Sequence, residues 1–421
     1  MVWNRSLSRT FWTRVENRRD GWGEESETMP LTDGQPDNGV PGYPPKVFLM
    51  ANTLETGGSE RQFAALAQGL SPSTLCIQLG CLHKTGVFAD GLKGIREFRP
   101  GGSLFGLKSQ RARLALRRHL KQQGIAVAQS FDFYSNLMLI PAARLAGVPV
   151  VLGSQRQLGD LMSWPRFWVQ KSIFQWCDRV VCNSRAAAHY LHRRAGLVEE
   201  KLAVIPNGLP DSAFAETKPA LPRTQGLVRV GMIARMNDAA KNHAAFLRVA
   251  ARVARKHQNV EFVLVGDGSM RAKLEQQASD LGLGERVRFL GERSDISAVL
   301  ASLDISVLTS ISESLSNVIM ESMAAGLPVV AGSVGGNLEL VREGETGFLV
   351  PSDDDDGFEA AIGRLLDRPE LRATFGAKAK AEAKSRFSLK SVCRQYEELY
   401  LSVLAEKGWS QAASRLQIQN S

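Results

Sequence analysis

The sequence of 421 residues has no run of about eighteen uncharged apolar residues, the minimum for a membrane-crossing helix. The nearest approach, residues 137–153, is broken by Pro141, Arg144 and Pro149. The N-terminus lacks a continuous apolar segment of the secretory type. Cysteine is scarce, and its count of five is odd. Cys76/Cys81 and Cys177/Cys182 have no companion His or Cys cluster, which excludes a zinc site of the usual spacing. Free thiols in a reducing cytoplasm are the expected state. No Gly-Lys-Ser/Thr follows Gly57-Gly58, so a P-loop is excluded. Arg271 stands where Val265-Gly266-Asp267-Gly268 would need its third glycine, which argues against an NAD dehydrogenase.

Acidic residues are thin in one region. Residues 46–210 hold 21 Lys or Arg against 9 Asp or Glu, a net +12. Residues 1–45 carry −2, and those from 211 onward −1. A basic half implies an anionic partner, such as a lipid headgroup, a pyrophosphate or a nucleic acid. The Arg-rich segment 109–123 has few aromatics and makes a poor stacking platform for nucleic acid. A solvated or membrane-facing helix is expected there, and nucleic acid is not an expected partner.

Residues 1–45, rich in Gly, Pro and acids, read as a disordered or dispensable tail. Within it Trp3, Leu7, Phe11 and Val15 recur every four residues among arginines, the pattern of a short basic helix on a membrane. A start of translation at Met29 is a third reading, and all three stand. Residues 46–210 alternate strand and helix: strands 46–51, 75–79, 126–129, 149–152 and 179–182, and helices 60–69, 109–123, 136–146, 165–176 and 185–194. A polar linker covers 211–226. A second alternating series fills 227–385, with strands 228–233, 261–265, 287–289, 305–308 and 327–331. Its helices are expected at 244–257, 270–281, 296–301 and 357–366. The last segment, 386–421, opens with a helix, 390–405, that no strand follows. Alternation of this kind implies a parallel sheet in each half.

The chemistry-bearing residues sit where such sheets present ligand contacts, beyond the carboxyl ends of strands. Glu313 and Glu321 have seven residues between them, spanning a loop that turns into a helix. Two carboxylates suit vicinal hydroxyls, which a sugar and a ribose both offer. Arg235 and Lys241 lie after strand 228–233, and two cations at that edge can clamp a diphosphate. Gly57 and Gly58 let backbone approach a ligand, and the free N–H groups of the following helix attract phosphate. Val334-Gly335-Gly336-Asn337 reads as a tight turn or a sugar-contacting backbone. The acids 353–356 read as helix capping rather than as a metal site.

In order along the chain, these pieces resemble the retaining glycosyltransferases of family 4 (glycosyl transferases group 1). The residues that carry the resemblance are ETGGSER at 55–61, VIPNG at 204–208, ARMNDAAKN at 234–242, VGDG at 265–268, and Glu313-x7-Glu321 followed by MAAGLPVV. The resemblance implies an α/β, GT-B fold: two Rossmann-like domains with parallel sheets facing across a cleft and a C-terminal helix crossing between them. It implies that Arg235 and Lys241 clamp the donor diphosphate, that Glu321 holds the ribose hydroxyls, and that Glu313 contacts the transferred sugar. Gly57, Gly58 and Asn317 complete the implied donor set. Relatives carry a histidine where this sequence has Phe131. Asp132, or Arg156 in Ser154-Gln155-Arg156, is the expected substitute on the acceptor side.

The implied reaction moves a sugar from a UDP- or GDP-linked donor to a saccharide or lipid-linked acceptor, with configuration retained. No metal or other cofactor is implied; the nucleotide sugar is the co-substrate. The expected location is cytoplasmic, with an anionic inner membrane face as a further partner. The alternatives are another GT-B nucleotide-sugar enzyme (an epimerase or phosphorylase) and a non-catalytic nucleotide-sugar binding protein.

Overall fold

The computed structural model describes residues 44–409 apart from 56, 103–105 and 238. The tail reading for residues 1–45 therefore lies almost wholly outside the described residues, as do 410–421. Two parallel sheets form. The first contains β1 (Lys46–Ala51), β2 (Cys76–Cys81), β3 (Arg96–Glu97), β4 (Val127–Ser130), β5 (Val150–Gln155), β6 (Arg179–Cys182) and β7 (Leu202–Val204), in the order β3-β2-β1-β4-β5-β6-β7. The second contains β8 (Val228–Ile233), β9 (Val260–Val265), β10 (Val287–Phe289), β11 (Ile305–Leu308), β12 (Val329–Gly332) and β13 (Gly347–Val350), in the order β10-β9-β8-β11-β12-β13. Strands such as β1 and β9 are apolar along nearly their whole length because helices cover both faces of each sheet.

The first lobe carries α1 (Gly58–Gly69), α2 (Leu107–Gln123), α3 (Phe133–Ala146), α4 (Trp164–Phe174) and α5 (Arg185–Tyr190). The second carries α6 (His243–Lys256), α7 (Arg271–Asp280), α8 (Ile296–Leu300), α9 (Asn317–Ala324), α10 (Asn337–Leu340), α11 (Asp355–Asp367) and α12 (Pro369–Phe387). The final helix, α13 (Leu389–Glu406), buries Val392, Tyr396, Tyr400 and Leu404 in the core of the first lobe. The chain thus crosses between lobes twice, as the GT-B pattern requires. The crossings meet: Leu209 N–H donates to Phe387 C=O at 2.7 Å, and Leu389 N–H donates to Leu209 C=O at 2.8 Å. Gln62 grips the same point through both the N–H and the C=O of Gly208.

Several elements begin elsewhere than the sequence suggests. Helix α3 starts at Phe133 rather than 136, because Asp132 caps it. The expected helix 185–194 turns π-helical at Leu191–Ala195. Helix α12 was not expected at all. Its buried positions include Gly376, Ala379 and Ala383, small residues that leave no broad apolar stripe to read.

Candidate functional site

Each sheet reverses its strand order at one place, between β1 and β4 in the first and between β8 and β11 in the second. Loops leaving the carboxyl ends of such neighbours diverge to opposite faces and leave a crevice. The loop after β8 carries Arg235 and Lys241, and the loop after β11 carries Glu313. The two loops are stitched together. Thr309 Oγ1 donates to the carbonyl of Asn242 at 2.9 Å, and Ile311 N–H donates to Ala240 C=O at 2.8 Å. Asn242 caps α6 in the left-handed conformation (φ 54°), which Asn tolerates because its short side chain can hydrogen-bond locally. Lys241 is thereby turned onto Glu313, with Nζ 2.7 Å from Oε1. Ser310 Oγ donates to the same oxygen at 2.8 Å, and Glu313 is buried. Lys241 lies in a 3₁₀ turn ahead of α6, not in the helix itself.

The Gly335-Gly336 turn lies flat on this loop. Gly336 N–H donates to Glu313 C=O at 3.1 Å, and a Cβ at Gly335 would stand 1.9 Å from that carbonyl oxygen. Only glycine fits such an approach. Asp354 caps α11 by accepting from Gly357 N–H at 2.8 Å, in keeping with the capping expected of the acids at 353–356. Its neighbours Asp355 and Asp356 pair with Arg248 and Arg252. Among the described residues no group of His, Cys, Asp and Glu is arranged to hold a metal.

The first lobe meets these residues directly. Arg61 on α1 forms an ion pair with Glu321 on α9. Burial raises the Glu321 carboxyl above the ordinary range, and the Arg61 charge opposes that rise. Gly57 precedes α1 and Gly58 opens it, and a Cβ at Gly58 would lie 3.0 Å from Asn317 Nδ2. Glu60 folds back over the start of its own helix: a Cβ at Gly57 would lie 1.8 Å from Glu60 Oε2. Burial pushes the Glu60 carboxyl up, while Arg235 lies close enough to pull it down. Glu60 thus occupies the helix end that would attract an anion.

Further bonds join the lobes. Asn207 Nδ2 donates to Asn317 Oδ1 at 2.7 Å, and Ser314 Oγ donates to Asn183 Oδ1 at 2.6 Å. Ser312 Oγ donates to Asp160 Oδ1 at 2.9 Å. Glu339 of the second lobe accepts from the N–H groups of Arg185 and Ala186 at 2.9 and 2.8 Å, capping α5 from outside. Sequence reading missed Arg61, Glu339 and this ladder, although Arg61 lies inside the ETGGSER motif.

The two residues expected on the acceptor side both lie in internal hydrogen-bond networks. Asp132 is committed to capping: its two oxygens accept from the N–H groups of Asn52, Tyr134 and Ser135 and from Ser135 Oγ. Its spacing to Ser135 is the capping-box signal. Arg156 is committed to an internal network, donating to Asn207 Oδ1 at 2.8 Å and to Tyr396 Oη at 2.6 Å. Its guanidinium lies 4.9 Å from the centre of the Phe131 ring. Phe131 itself is fully buried and packs edge-on against Phe63. The position where the resemblance expects a histidine is therefore core, and both neighbours hold internal hydrogen bonds. A surface hollow of about 490 Å³ is lined by Gln68, Gln78, Arg96 and His119 and by none of the expected site residues.

Known proteins agree with this architecture. The chain matches the family model "Glycosyltransferase Family 4" over residues 56–212 and "Glycosyl transferases group 1" over residues 228–368. An α-D-kanosaminyltransferase of Streptomyces kanamyceticus is 30% identical over 318 residues, which cover 70% of this chain and 80% of that protein. A lipopolysaccharide core biosynthesis glycosyltransferase of Rhizobium meliloti, LpsE, is 37% identical over 34% of this chain. The match spans 41% of LpsE, under half of its length. The solved structure of Anabaena HepE in complex with UDP superposes with a TM-score of 0.74 at 23% identity, covering 85% of this chain and all of that one. With both lobes, the returning helix and the ordered motifs in place, the chain belongs to the group 1 glycosyltransferases of family 4, built on the GT-B fold.

Proposed function

We propose that the chain transfers a sugar, with retention, from a UDP- or GDP-linked donor to a hydroxyl of a saccharide or lipid-linked acceptor, in synthesis of a cell-surface polysaccharide or glycolipid. The observation that carries this proposal is the Lys241–Glu313 pair at the switch point of the second sheet. A diphosphate entering there meets Lys241 and Arg235, and reaches the start of α1 once Glu60 swings away from it. Glu321 accepts from the ribose hydroxyls once Arg61 yields it. Glu313 accepts from the sugar, with Asn317 and the Gly57-Gly58 backbone closing the donor pocket. The UDP of the Anabaena complex motivates the nucleotide class.

In the reaction the bond from the anomeric carbon to the phosphate oxygen breaks and a bond to the acceptor oxygen forms. The proton of the acceptor hydroxyl passes to the departing phosphate on the same face, so no protein base is required. Negative charge grows on the diphosphate, and preorganised cations beside it lower the barrier. The proposal calls on no metal or other cofactor. Closure of the lobes excludes water and aligns the acceptor. An anionic membrane surface, suggested by the charge of residues 46–210, is the proposed place of work.

The test is a thermal-shift screen with UDP-, GDP- and ADP-sugars. A ligand at about one hundred times its Kd adds roughly 2.7 kcal/mol to the folded state. Stabilisation by a UDP- or GDP-sugar, followed by sugar transfer from it, supports the proposal, and stabilisation by ADP-sugars alone contradicts the donor class. A chain that none of them stabilises does not bind the donor and overturns it.

A further inference from the structure

Helices α2, α3 and α4 lie side by side over one face of the first sheet, with Leu116, Leu139 and Phe174 in the shared core beneath them. The three helices contain no Asp or Glu, yet they hold nine Lys or Arg (six, one and two). They also leave large apolar side chains in solvent. Leu107 is 81% exposed, Trp164 73% and Leu145 63%, with Leu114 and Trp168 also exposed. Helix α4 is the extreme case. Of its eleven residues, WPRFWVQKSIF, only Gln170 and Phe174 are buried. The rings of Trp164 and Trp168 pack edge to face at 5.4 Å, and Lys171 Nζ sits 4.8 Å from the centre of the Trp168 ring.

One exposed leucine needs no explanation. Clustered tryptophans and leucines among cations, with no anion on the helices, need a partner that is apolar in depth and negative at its surface. Tryptophan favours the level of lipid headgroups, where its ring is half solvated. A second copy of the chain meeting the same face would bring two strongly basic lobes together. Nucleic acid offers no apolar phase for Leu107, Leu114 and Leu145.

We propose that this face docks on the surface of an anionic lipid bilayer. Trp164 and Trp168 enter the headgroup boundary, and Lys108, Arg111 and Arg118 meet lipid phosphates. The surface gives a location to the membrane contact of the proposed function. Its geometry also links the two. Two residues before Leu161, itself 68% exposed, begins the run Gly159-Asp160, and Asp160 holds Ser312 of the second lobe. Leu158 touches the Gly335 turn that backs Glu313. A bilayer on α4 therefore lies a few residues along the chain from the 158–160 segment that contacts the donor loop, where a lipid-linked hydroxyl would be needed.

The experiment is sedimentation of the full chain with phosphatidylcholine vesicles and with vesicles enriched in phosphatidylglycerol, at low and high salt. The expected result is binding to the anionic vesicles alone, weakened by salt, with tryptophan emission shifted to the blue. The double substitution Trp164→Ser/Trp168→Ser is expected to cut the bound fraction about tenfold or more. Nucleotide-sugar thermal shifts measured without vesicles report the fold and the donor site separately, so the donor reading can fail while docking stands, or the reverse. Arg111→Glu/Arg118→Glu is a second, independent variant with the same expected loss. A chain that ignores anionic vesicles overturns the proposal. So does a double-Trp variant that binds like the wild type, because residues 1–43 remain in both proteins. Self-association or DNA retention that is lost in the same variants, without vesicle binding, assigns the face to another partner and also overturns it.

Discussion

Arg61 and Glu321 stand 260 positions apart and form one ion pair between the lobes. The carboxylate that the family resemblance gives to the ribose is thus occupied by an arginine from the opposite lobe. On the donor reading proposed above, nucleotide binding exchanges an internal partner for a ligand, while burial raises the Glu321 carboxyl and the Arg61 charge opposes that rise.

The first prediction is a pH dependence. Burial raises the Glu321 carboxyl above the usual carboxylate range, and Arg61 lowers it. Ribose hydroxyls donate to the ionised form, so nucleotide affinity should fall as pH drops through the Glu321 pKa. Arg61→Met removes the lowering charge and leaves the burial, so this acid limb should move to higher pH. Nucleotide titrations of both proteins across the acid range check it; an unmoved limb contradicts the pairing.

A second prediction separates the two glutamates. Glu321→Gln should weaken binding of the free nucleoside diphosphate by about 1.5–3 kcal/mol, roughly ten- to one-hundred-fold. Glu313→Gln should leave free nucleotide binding within a few-fold of wild type and lower turnover by about 10²–10³. Calorimetry with the nucleotide and with its sugar conjugate distinguishes them.

Much of the scaffold was readable in the sequence because each strand buried on both faces is a short apolar run between helical periods. Residues 228–233, 305–308 and 179–182 are strands at those bounds. Of the candidate site, Lys241 and Glu313 could be read as residues at strand ends, and they pair because their loops leave the adjacent strands β8 and β11. What stayed hidden depends on distant partners. Arg156 looks like a free polar residue until Tyr396, 240 positions on, is seen to accept from it. Asp132 looks like a site acid until Asn52, 80 positions earlier, donates to it.

A third prediction follows from that burial. Phe131→His should not restore the family histidine. The ring would replace a fully buried phenyl between Phe63 and the Arg156 cation, and the cation disfavours a protonated imidazole. The expected outcome is a loss of about 1–3 kcal/mol in stability with no gain in transfer. Denaturant unfolding beside a transfer assay checks both halves.

Arg156→Met gives the fourth. It strips one hydrogen-bond donor from Tyr396 Oη and the donor from buried Asn207 Oδ1, a loss of about 1–3 kcal/mol for a buried acceptor left without its partner. The melting temperature should drop by several degrees, with the fall in activity following the folded fraction. Loss of turnover in a fully stable Arg156→Met protein would return Arg156 to the acceptor site.

The most direct test of the donor clamp is the transfer rate of Arg235→Ala, measured with the nucleotide sugar that stabilises the wild type. A fall of about 10²–10³ in turnover with the fold intact is the predicted result. Transfer at the wild-type rate would contradict the account.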